Sequence, residues 1–158
     1  TRGFSIERIG FFCFRRMKNL YVRILPFLLF SSSFTILFIA YSLEADHSGI
    51  GTHQQLGLEP CGFLTRVKIP CMMCGMTTSF SLYMHARILD GIANQPFSAL
   101  LFLGTLYTCF LSLLDLVEPR ARVSRFLDVL QNLSRTWYIV ILLLFLSSWI
   151  FKILIHRA

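Results

Sequence analysis

The sequence predicts an all-α integral membrane protein of three transmembrane helices, and three observations carry that expectation. Apolar residues make up 55% of the 158-residue chain and charged residues 15%, with a mean hydropathy of +0.64. The apolar residues come in three runs long enough to cross roughly 30 Å of hydrocarbon, where a soluble domain would hide them in short periodic stripes. The Lys and Arg residues behind the formal charge of +7 flank these runs and form no soluble basic face, so the lipid bilayer, and no nucleic acid, is the expected partner.

The elements follow in order as parts of a single membrane domain. Residues 1–23 are basic and aromatic, mixing Phe11, Phe12 and Phe14 with Arg15, Arg16 and Lys18, a composition suited to anionic headgroups. Residues 24–43 form the first span, with Pro26 in its first turn and Tyr21 and Tyr41 as interfacial anchors. This run exceeds a usual signal-peptide core, and Ser42-Leu43-Glu44-Ala45 is a poor cleavage site, so the span is expected to be retained. Residues 44–96 form a long loop. The second span, 97–117, is entered through Asn94-Gln95-Pro96, a cap followed by a first-turn proline. Residues 118–136 are amphipathic: Val123, Phe126, Leu127, Leu130, Leu133 and Trp137 line one stripe, opposite Arg122, Arg125, Asp128, Gln131, Asn132 and Arg135. The third span is 137–155.

Charge sets the expected direction. Arg2, Arg8, Arg15, Arg16, Lys18, Arg23, Arg120, Arg122, Arg125 and Arg135 lie on one side, against Arg66, Lys68, Arg87, Lys152 and Arg157 on the other. The positive-inside rule then puts the N-terminus in the cytoplasm, and the long loop and C-terminus outside an inner, cytoplasmic membrane, facing a periplasm or its equivalent. The stretch from Pro70 to Met84 is too short to span, and a fourth span would move the arginine-rich segment outside. A short external helix, interfacial or re-entrant, is expected there instead, with Phe80, Met84 and Ile88 on one side.

Within the loop, residues 61–97 read CGFLTRVKIPCMMCGMTTSFSLYMHARILDGIANQPF. Cys61, Thr65, Cys71, Cys74, Gly75, Met76, Thr77, Phe80 and Pro96 fall at matching positions in a pattern of a first Cys, a Thr-Gly step, CPxCGxTRxF, a Gly-Asp step and a closing NP, that of an uncharacterised family of small bacterial membrane proteins that this stretch resembles. Met72, Thr78 and Arg66 stand where that pattern has Pro, Arg and Gly. The resemblance implies a fold and a location but no reaction.

Four readings of the cysteines compete. Thiols at CxxC spacing in an oxidising compartment close a disulfide with each other or with Cys61 and staple the loop, which is the expectation placed first. A helix starting just after Cys74 favours a thiolate there, as in redox CxxC sites, although no βαβ scaffold is present. Cys71, Met72, Met73, Cys74 and Met76, with Met84 and His85 a turn or two on, are soft ligands that suit Cu(I), while zinc needs a fourth donor beyond Cys61, Cys71 and Cys74, such as His47 or His53. Lastly, the motif is a docking knob for a larger assembly. Covalent haem is not expected, because CMMCG lacks the His that must follow CxxC. Cys13 and Cys109 read as small hydrophobes. Asp115 and Lys152, near the ends of their spans, are expected to snorkel to opposite interfaces.

No paired carboxylates, phosphate-cradling glycine loop or Ser-His-Asp order is present in the sequence, so a non-enzymatic role is favoured. The leading expectation is an accessory or scaffold subunit among other membrane-protein subunits, displaying a cysteine-stapled outer loop. The alternative is a thiol-redox or copper- or zinc-handling protein using Cys71 and Cys74.

Overall fold

A computed structural model describes the backbone of residues 4–157 and the side chains of residues 23–155. The side chains of the aromatic-basic opening segment, Phe11, Phe12, Phe14 and Cys13 included, lie outside the described residues. Among the described residues every regular element is helical: α1 (Phe4–Ser42), a 3-10 turn (Thr52–Leu56), α2 (Gly62–Val67), α3 (Met76–Met84), α4 (Ile88–Asn94), α5 (Pro96–Val117), α6 (Arg122–Gln131) and α7 (Arg135–Arg157).

Three of these helices hold segments long and apolar enough to cross a membrane, Arg23–Ser42, Pro96–Val117 and Arg135–Ile155. Only 22%, 17% and 11% of their apolar windows are buried within the protein, so most of their Leu, Ile and Phe side chains point outward. Apolar surface of that extent is solvated by lipid, and the helical backbone satisfies its own hydrogen bonds there. The protein is therefore an all-α, multi-pass membrane protein. Pro96 opens α5 as expected. Pro26, placed by the sequence in a first turn, lies inside α1, because that helix already begins at Phe4.

Contacts divide the chain into two units: one joins the stretch through Ser33 with Tyr107–Asn132, the other joins Phe34–Leu106 with the chain from Leu133 on. In the first unit the chain leaves α5 and turns at Ala121, which has a left-handed φ of 54°, into α6. Arg122 donates to the carbonyls of Leu114 and Glu118, which closes the C-terminal end of α5. Tyr107 of α5 meets the edge of Phe126 of α6 with ring centroids 5.1 Å apart. The amphipathic stripe is real but shorter than expected. Val123 is buried and Phe126 and Leu127 half-buried, whereas Leu130 is exposed, Leu133 falls in the connection and Trp137 belongs to α7. Asp115 does not snorkel: it is 3% exposed and accepts the Val123 N–H at 2.8 Å.

The second unit is organised around α3. This helix is short and polar for a buried element, and its hydroxyls explain how it is buried. Thr78 and Thr52 of the 3-10 turn bond each other through their hydroxyls at 2.8 Å, and Ser81 donates to the Leu43 carbonyl at the end of α1. Every such bond removes the cost of an unpaired polar group in a dry interior. The tight packing of α4 on α3 rests on Gly91, where a Cβ would come within 2.3 Å of the Tyr83 ring. The Tyr83 hydroxyl is bonded to Ser98 of α5 at 2.8 Å. The single motif helix expected through Ile88 is broken: Ala86 has a φ of 61°, ending one helix so that Ile88 starts the next, exposed where Phe80 is buried.

Candidate functional site

The Cys71-Met72-Met73-Cys74 segment is a hydrogen-bonded turn, with the Cys74 N–H donating to the Cys71 carbonyl at 3.0 Å and the Met76 N–H to Met73. Closing the turn places the Cys71 and Cys74 sulfurs 3.1 Å apart, and the Cys71 N–H points at the Cys74 Sγ at 3.3 Å. Cys61, the N-cap of α2, brings in the third sulfur, and all three Sγ atoms lie within 4.8 Å of one another. The expected disulfide is not formed: the three cysteines are free thiols, and 3.1 Å is well beyond the S–S bond length of about 2.05 Å. The loop needs no covalent staple because hydrogen bonds already pin it. The Trp149 indole of α7 donates to the Pro70 carbonyl at 3.0 Å, and the Gln95 amide donates to Met72 at 3.1 Å.

The thiols differ in character. Cys61 is pulled down to about 7, chiefly by the Leu64 backbone N–H that its sulfur faces. Burial pushes Cys74 up to about 12. The sequence placed the stabilised thiolate at Cys74, before the longer helix; the structure places it at Cys61, because Cys74 is buried at 6% exposure and loses more from desolvation than the turn returns. Below its ordinary value, a thiol is more ionised at neutral pH. We therefore expect a mass-tagging maleimide at pH 7.5 to modify Cys61 first and Cys74 last. Equal labelling rates for the two, read by peptide mass spectrometry, would contradict this order.

The remaining candidates separate from the cluster. His85 is exposed, stacked on Tyr41 at 5.6 Å and bonded through Nδ1 to the Ser81 carbonyl. His47 is exposed, and His53 lines an apolar cavity of about 320 Å³ with Met76, Thr77 and Phe80. Met72 and Met73 stand exposed on the turn, at 37% and 61%. Thr65 turns its hydroxyl back to the Gly62 carbonyl, within α2. Gly75 follows Cys74 in a left-handed conformation at φ 88° and starts α3.

Sequence reasoning missed Lys152. Expected to reach the interface, it is 3% exposed and turned inward, donating from Nζ to the carbonyl of Gly49 at 3.2 Å and to the side-chain oxygen of Asn94. A Cβ added to Gly75 would lie 3.0 Å from this Nζ, so the ammonium sits beside the residue that follows Cys74.

These features define a multi-pass helical membrane protein that carries a three-thiol cluster on the loop between its first two spans. Residues 61–109 match the model of a protein family of unknown function, DUF2752, which bears out the resemblance to an uncharacterised family. The matched stretch begins at Cys61 and takes in Cys71, Cys74, Gly75 and Pro96. No curated protein and no solved structure matches the chain.

Proposed function

We propose that this protein is a metal-handling membrane protein that binds one Cu(I) ion through Cys61, Cys71 and Cys74. The observation that carries the reading is the convergence of three free sulfurs within 4.8 Å. A metal about 2.3 Å from each sulfur requires sulfurs separated by about 4 Å, so small side-chain rotations suffice. Soft thiolates select Cu(I), whereas structural zinc takes four ligands. Among the described residues no His, Asp or Glu joins the three cysteines. Cys61 and Cys71 are half-buried and two Met thioethers stand exposed on the same turn, which suits an ion that enters and leaves better than one sealed into a core.

The accessory role that the sequence placed first came with a cysteine-stapled loop on display; with the thiols free, the metal reading takes precedence. The excess of basic residues at the N-terminus and between α5 and α7 supports a cluster on the exterior face of a cytoplasmic membrane. The test is anaerobic titration of the full chain in nanodiscs against a Cu(I) chelator, with elemental analysis. One copper per chain is expected, bound by sulfur alone in X-ray absorption, and lost in Cys71→Ser. Wild-type protein that competes no better than a Cys61/Cys71/Cys74 triple serine variant would overturn the proposal.

A further inference from the structure

Lys152 is a buried cation with no carboxylate within ion-pair reach among the described residues. An ammonium taken out of water needs compensating charge as well as hydrogen bonds, and its two acceptors, the Gly49 carbonyl and the Asn94 side chain, are neutral. Its placement is fixed by its surroundings. The Asn94 amide nitrogen donates to the Gly75 carbonyl at 3.0 Å and to Ser79 Oγ at 2.9 Å, which turns the Asn94 oxygen toward Nζ. Two of the three ammonium N–H groups are thereby used. The network holds the positive charge against Gly75, the residue that follows Cys74.

We propose that Lys152 is the built-in counter-cation of the thiolate site and biases it toward soft monovalent over divalent metal ions; this rests on the metal reading above. When a metal displaces the three thiol protons into solvent, Cu(I) leaves a complex of charge −2 and Cd(II) or Zn(II) one of charge −1. A fixed positive charge nearby stabilises the first about twice as strongly as the second. Lys152 is thus a specificity-determining residue that need not touch the metal.

The experiment compares wild type, Lys152→Met and Lys152→Arg as full chains in nanodiscs. Cu(I) affinity is read by chelator competition and Cd(II) affinity by thiolate-to-metal absorption. Lys152→Met is expected to weaken Cu(I) binding about 100-fold and Cd(II) binding about tenfold, and Lys152→Arg to preserve the preference. Lys152→Gln keeps a donor for Asn94 and Gly49 while removing the charge, and answers the question if Met is not accommodated. Equal losses for the two metals, or no loss, overturn the proposal and leave the metal site standing. A wild-type protein that binds neither metal sinks the site itself, and this proposal with it.

Discussion

Gly75→Ala is expected to destabilise the protein by about 3 kcal/mol or more and to abolish metal binding together with the loop that supports it. Two costs add at this position. The backbone has φ 88°, where an L-residue loses about 1–2 kcal/mol. The new Cβ would also lie 2.7 Å from the Gly49 carbonyl oxygen and 3.0 Å from both Asn94 Nδ2 and Lys152 Nζ. A backbone carbonyl cannot swing aside as a side-chain tip does, and moving Gly49 breaks its bond from Lys152. Gly57→Ala is the matched control: φ is 76°, yet nothing lies within 4 Å of its Cβ, so it carries strain without collision and should cost about 1 kcal/mol. Unfolding titrations of both variants in mixed micelles measure the difference. If Gly75→Ala proves as mild as Gly57→Ala, the close approach of Gly49 and Lys152 to the motif is wrong.

The spans and the site were legible to different depths, for physical reasons. Crossing a bilayer is a property of a continuous stretch, so the three apolar runs could be read directly, as could Pro96 at the start of α5. Val123, Phe126 and Leu127 were legible because amphipathic periodicity is local too. The break at Ala86 was not, since a left-handed alanine carries no composition signal of the kind glycine does. The cysteine spacing showed that Cys71 and Cys74 meet, but not whether they bond. Lys152 and Asn94 lie 58 residues apart, and no local pattern tells a buried lysine with distant acceptors from one that snorkels. The available hint was chemical: Asn94 and Gln95 are amides placed just before a first-turn proline, and such groups need partners once buried.

Asp115→Ala is expected to release α6, lowering the hydrogen-exchange protection of residues 122–131 by about 100-fold, a loss of roughly 2–3 kcal/mol, with the amides of α5 above it unchanged. The reasoning begins at the helix start. Ala121, the N-cap of α6, has no side chain to accept a first-turn N–H, so the cap comes from the preceding helix: Asp115 Oδ2 takes the Val123 N–H at 2.8 Å. Val123 is 1% exposed, and its amide has no water to fall back on once the carboxylate is gone. Asp115 Oδ1 has no hydrogen-bond partner among the described residues but lies 3.6 Å from Arg122 Nη1, while Arg122 Nη2 holds the Glu118 carboxylate at 3.2 Å. Losing Asp115 therefore removes a cap and one arm of a charge pair, while Glu118 keeps Arg122 from being stranded. Asp115→Asn retains an acceptor for Val123 and removes only the charge, so it should lose about a third as much free energy. Equal loss in the two variants would assign the effect to the ion pair. A loss confined to Ala assigns it to the cap, the stronger bond because its donor is buried and Arg122 remains partly in solvent.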